Sequence, residues 1–131
     1  MISFEDKNHD YEVLKHAMDI TERNGATLTL LHINSGHAGY PSRVMRPLEH
    51  SYTEEELRDI VNEIPHNVTV NIELHKTDQI LEAIVQKSKE YDLLVMGHRH
   101  ASFIEKLLRG SLDEKVINNV DCDVLTVKQN N

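Results

Sequence analysis

Gly97-His98-Arg99-His100 is followed by nine residues, Ala101 to Arg109, and then by Gly110-Ser111. These residue types suit a phosphorylated small molecule. A glycine lets a ligand approach the backbone closely. Free N–H groups at a helix start attract anions, and the Ser111 hydroxyl can donate to a phosphate oxygen. The same residues have a plainer reading. Gly110 breaks a helix, and Ser111 caps the next. Asp113 and Glu114 already complement the dipole at that helix start, which weakens its pull on an outside anion.

Other reactive residue types offer less. His98 and His100 supply two imidazoles on a loop, while His9, His16, His32, His37, His50, His66 and His75 are scattered. A zinc site needs three or four convergent ligands, so no metal site is expected. Histidines near a crevice would still make binding pH-dependent. Cys122 allows no internal disulfide. It falls just before the last strand, at the edge of a parallel sheet opposite a ligand crevice. No general base is placed near Ser111, so catalysis is not expected.

These residues sit in a chain of 131, with 39% hydrophobic and 27% charged residues. One domain spanning residues 1–131 is the expectation. Fourteen basic against 22 acidic side chains give a net charge of −8. That balance repels phosphate backbones and argues against nucleic acid as a partner. It does not exclude one small phosphorylated ligand. No apolar run approaches a membrane span. Met1 to Asp6 lacks the basic start and apolar stretch of a secretion signal, so a cytoplasmic location is expected.

Hydropathy patterning then places the elements. Ile2 to Glu5 reads as a short strand, and Asn8 or Asp10 as the cap of a helix with Val13, Leu14, Ala17, Met18 and Thr21 inward. Asn24-Gly25 supplies a left-handed stop. Thr27 to Ile33 is a strand, and Asn34 to His50 a long loop with two glycines and two prolines. Thr53 and Glu56 form a capping box before Leu57, Ile60, Val61 and Ile64, and Pro65 stops that helix. Val68, Val70, Ile72 and Leu74 alternate with polar residues, as an edge strand does. Thr77 or Asp78 caps a helix with Ile80, Leu81, Ile84 and Val85 inward. Leu93 to Met96 is a continuous apolar run suited to a central parallel strand. Ser102 with Glu105, and Ser111 with Glu114, make two more capping boxes. Val124 to Val127 is the last strand.

The alternation of strands and helices predicts an α/β fold with a five-stranded parallel sheet and helices on both faces. The half-buried third strand favours the order 3-2-1-4-5 over 2-1-3-4-5. Ligands bind where such an order reverses, here between strands one and four. Glu5-Asp6-Lys7 and Gly97-His98-Arg99-His100 would form the lip.

With those residues in view, the chain resembles the universal stress proteins. Their signature is a strand ending in Gly, two residues, a second Gly, nine residues, then Gly and Ser or Thr. Tyr91 to Gly97 matches the strand and first Gly, and Gly110-Ser111 the final pair. Glu114, Val116 and Cys122 to Val127 resemble the family's C-terminal pattern. The resemblance implies an adenine-nucleotide alpha-hydrolase-like fold and a regulatory role in stress tolerance. It also implies ATP or AMP with Mg²⁺ as a non-obligatory ligand, and a homodimer paired through the last strand, with Val124, Leu125 and Val127 at the interface. Glu5 would face the adenosine end and Ile33 would flank the base. Gly97, Gly110 and Ser111 would cradle phosphates beside His100, and Arg99, Arg109, or Arg43 and Arg46 from the long loop, would neutralise charge, the plainer reading of these arginines being solvated surface. His100 stands where the nucleotide-binding branch has its second Gly, which resembles the branch that binds no ATP. That branch usually lacks the Gly-Ser pair kept here. A dimeric interaction module with an empty crevice is therefore the alternative. A phospho-acceptor receiver domain shares the architecture, but the third strand ends in Leu74-His75-Lys76-Thr77, without the Asp it needs.

Overall fold

The computed structural model describes residues 1–5, 7–34, 51–98 and 112–128. Its elements run β1 (Ile2–Ser3), α1 (Lys7–Arg23), β2 (Leu28–Asn34), α2 (Glu54–Asn62), β3 (Val70–Lys76), α3 (Ile80–Ser88), β4 (Leu93–His98), α4 (Leu112–Ile117) and β5 (Asp123–Lys128). The expected helix at Ser102 to Leu108, the Ser102 and Ser111 caps, and most of the long loop lie outside the described residues.

All pairings are parallel, and the order is β3-β2-β1-β4-β5. This is the arrangement that the alternation in β3 implies: β3 is an edge, and β1 is central. Ile2 pairs with Leu30 on one side and Val95 on the other. β1 is shorter than the Ile2 to Glu5 run, yet Phe4 extends its ladder by donating to the Leu31 carbonyl at 2.9 Å.

Side-chain alternation divides the apolar residues between two layers. Ile2, Phe4, Leu28, Leu30, Val70 and Val95 face α1 and α2, whose Val13, Leu14, Leu57 and Val61 complete the first core. Met1, Leu31, Leu94 and Met96 face α3 and α4, whose Ile84 and Val116 complete the second. Each core is apolar on the sheet side because both sheet faces are covered.

Among the described residues, the local stop and start signals are realised with two exceptions. Gly25 ends α1 with φ of +60°. Thr53 and Glu56 exchange both bonds of the capping box. α1, however, begins at Lys7, so Asn8 and Asp10 lie within it and do not cap it. α3 begins at Ile80 with Gln79 at its cap position. Thr77 instead accepts the Gln79 N–H at 3.0 Å, closing a turn ahead of the helix.

Candidate functional site

The chain leaves β1 toward β2 through α1 and reaches β4 through α3, which crosses the opposite face. The two routes part at the C-terminal ends of β1 and β4, the place where sheets of this order take a ligand. Glu5 follows β1 and is exposed, Ile33 lies near the end of β2, and Gly97 lies near the end of β4. The sheet order places these three residues on adjacent strand ends, β2-β1-β4. Arg99, His100, Arg109, Gly110 and Ser111 lie outside the described residues, as do Arg43 and Arg46.

What holds the β1–β2 side of the crevice is a polar network on the first-core face. The Glu5 N–H donates to the Asp10 carboxylate at 2.6 Å. His32 is buried, with Nδ1 at 2.8 Å from the Phe4 carbonyl and Nε2 at 3.0 Å from Asn34 Oδ1. The Asn34 amide pairs with the backbone of Tyr52 in both directions: Nδ2 donates to the carbonyl and Oδ1 accepts the N–H, each at 3.0 Å. The Tyr52 hydroxyl accepts the Lys7 N–H at 3.0 Å. Phe4, His32 and Tyr52 stack edge to face, with His32 and Tyr52 centroids 4.9 Å apart. The end of β1 is thereby held by its own ladder bond, by His32 and by Asp10.

Of this network the sequence marks out Glu5 as a site residue and Lys7 as part of the lip, while Ile33 adjoins it and packs on the second core. Asp10 reads locally as a cap, and His32 as one of many histidines. One signal was available: His32 and Asn34 alternate on the buried face of an apolar strand, and buried polar side chains must find partners. Tyr52 occupies the position before a helix cap, where a large side chain often packs back on the first turn.

Lys7 of the lip is a tied cation. Lys7 Nζ lies 2.9 Å from Glu63 Oε2, and this bond holds the ammonium above its usual range. Among the described residues, no group of three or more His, Cys, Asp or Glu is arranged to hold a metal ion. A separate open hollow of about 450 Å³ lies at the β3 edge, lined by Leu74, His75, Lys76, Thr77 and Glu82 among others. It belongs to the sheet edge, two strands from the β1–β4 crevice.

Among the described residues, no helix is long and apolar enough to cross a membrane. Comparison with known proteins gives a consistent result. The model of the universal stress protein family matches residues 4–128. Universal stress protein D of Escherichia coli K12 is 30% identical over 141 aligned positions, covering 96% of this chain and 92% of the relative. A universal stress protein of Mycolicibacterium smegmatis is 27% identical over 115 positions, covering 88% and 85%. Among solved structures, a universal stress protein in complex with cAMP superposes with a TM-score of 0.67 at 20% identity, covering 98% of this chain and 96% of that one. The universal stress protein UspA from Lactobacillus plantarum gives 0.67 at 19%, covering 96% and 95%. The expected adenine-nucleotide alpha-hydrolase-like sheet order is thus shared with proteins of closely similar length.

Proposed function

Because the chain belongs to the universal stress protein family, we propose that it is a regulatory protein of stress tolerance that takes ATP or AMP in the crevice between β1 and β4. The observation that carries this reading is the reversal of strand order at β1, which brings Glu5, Ile33 and Gly97 to three adjacent strand ends. A related protein solved with cAMP supports an adenine nucleotide as the ligand class.

In this reading Glu5, exposed beyond β1, faces the adenosine end, and the backbone at Ile33 flanks the base. Both positions suit that task, since their neighbours Phe4, His32 and Asn34 are tied in place. Gly97, Gly110 and Ser111 receive the phosphates, with Arg99 and Arg109 offsetting charge. Mg²⁺ arrives on the phosphates, as this ion commonly does, and is not obligatory. The role is regulatory and not enzymatic. The protein acts in the cytoplasm as a homodimer joined through β5.

One residue favours a second reading. His100 stands where the family's nucleotide-binding signature has a glycine, and its side chain would occupy phosphate space. The protein would then be a dimeric interaction module. Mass spectrometry of nucleotides released from freshly purified protein, followed by calorimetric titration with ATP, AMP and cAMP in Mg²⁺, separates the two. Released nucleotide or a micromolar affinity upholds the first reading. No nucleotide and no binding heat overturn it in favour of the second.

A further inference from the structure

His32 is 3% exposed, and both of its ring nitrogens face oxygen atoms. The Phe4 carbonyl at 2.8 Å from Nδ1 can only accept. The atom facing Nε2 is fixed by Tyr52. Asn34 Nδ2 donates to the Tyr52 carbonyl while Oδ1 accepts the Tyr52 N–H. Turning that amide over would set N–H against N–H and oxygen against oxygen, losing both bonds. Asn34 therefore presents Oδ1 to the ring at 3.0 Å. A neutral imidazole has one N–H and one bare nitrogen. It could satisfy one of these oxygens and would turn a lone pair on the other.

We propose that His32 carries a proton on both ring nitrogens, that this imidazolium ties the end of β1 to the end of β2, and that losing the proton frees the tie. Both acceptors are fixed by the network, the carbonyl by its chemistry and Asn34 Oδ1 by Tyr52, so the ring's state does not rest on one distance.

Among the described residues, the surrounding charges are compatible with a cation. Glu5 follows β1, and its N–H, in the same peptide unit as the Phe4 carbonyl that faces His32, is held by the Asp10 carboxylate of α1. Lys7 of α1 is paired with Glu63 beyond α2, so those two charges offset each other. Tyr52, ahead of α2, lies edge-on to the imidazole. Lys76 of β3 pairs in register with Asn34, and His75 alternates to the opposite face of the sheet.

The consequence for the site rests on the nucleotide reading above. Glu5 and Ile33 each adjoin a residue bound to His32. At a pH where His32 keeps its proton, both strand ends are fixed. As pH rises and the proton leaves, one of the two bonds is lost. Asn34 and Tyr52 then lose their side-chain tie to Phe4 and keep only the ladder bond at Leu31 and the Lys7 N–H bond to Tyr52, so the base side of the crevice loosens.

The test uses the full chain labelled with ¹⁵N-histidine. Long-range proton–nitrogen correlation is recorded from about pH 5 to about pH 9, which spans the ordinary histidine range. The His32 signal is assigned in the unaltered protein from its through-space contact with the Tyr52 ring. The expected result at neutral pH is two protonated ring nitrogens for His32. Exchange protection of the Tyr52 N–H, corrected for the intrinsic rate, is expected to drop by about tenfold where the second proton leaves. A single protonated nitrogen at neutral pH, or protection that stays constant through the titration, overturns the proposal. Failure to bind any nucleotide would overturn the functional reading alone, because the ring state is read without ligand.

Discussion

The carboxylate of Asp10 reaches back from inside α1 to accept the N–H of Glu5, the residue that follows β1, at 2.6 Å. Asp10 is buried. A helix residue thereby fixes the peptide at the lip of the crevice, and a two-residue central strand gains an anchor that its own ladder cannot supply. Replacing Asp10 with Ala is expected to cost about 2 kcal/mol in urea unfolding, the range for a charged hydrogen bond. A cost no larger than that of a surface substitution would show that the contact carries no stability.

Gly25 tests a purely backbone effect. Its φ is +60°, and a Cβ there would meet nothing within 4 Å. Gly25→Ala should therefore lose only the left-handed backbone preference, about 1 kcal/mol, with no packing change. Denaturant melts check the size, and an unchanged midpoint would contradict the assignment.

Lys87 gives a prediction with a definite sign. Its Nζ lies 3.0 Å from Glu73 Oε2 and 3.4 Å from Glu90 Oε2, with 17% of the side chain exposed. Glu73 Oε2 is buried, and the pair is an ion pair by distance rather than a well-aimed hydrogen bond. The Glu73 carboxylate, with Glu90 behind it, holds the ammonium above its ordinary value of 10.5 against the opposing effect of burial. A raised folded-state value means the contribution is full below the ordinary value and is lost as pH rises through the raised one. Between about pH 10 and about pH 12, Tm should fall more steeply for the natural chain than for Lys87→Met. Parallel slopes would remove the claim.

The phosphate end of the proposed site is tested by two variants with opposite expected signs. Ser111→Ala should weaken ATP binding by about three- to tenfold, the loss of one hydrogen bond. His100→Gly should strengthen it by restoring the glycine of the family pattern. Calorimetric Kd values that move in neither variant would place the phosphates elsewhere.

β5 is an edge of the sheet. Its Val124 packs against the second core, and Leu125 and Val127 against the first, so all three are half-covered by their own chain. An uncovered strand edge invites pairing. Light scattering at micromolar concentration should give about twice the chain mass of 15.1 kDa. A monomer mass would end the dimer proposal.

The order of elements could be read from the residues because each signal is local and periodic. Alternation at Val70, Ile72 and Leu74 marks a strand with one better-covered face, and the run at Leu93 to Met96 marks one covered on both. Those two patterns place β3 at an edge and β4 inside, which is enough to choose the sheet order and hence the crevice. Thr53 with Glu56, and Gly25, act within a single turn and needed no tertiary context.

Tertiary structure alone decided how the crevice is held. Residues 4–5, 10, 32–34 and 52 are far apart in sequence, and their bonds join side chains to backbone groups of other elements. No periodicity encodes such pairs. Asp10 illustrates the difference: its residue type suits a cap, but the helix begins three residues earlier, and the carboxylate finds its donor across the turn. Sequence placed Glu5, Ile33 and Gly97 at the strand ends because alternating strands and helices make the sheet parallel, which brings all strand C-termini to one edge. That His32 faces two oxygens, which gives this crevice its proposed proton, depends on where Phe4 and Tyr52 arrive in space.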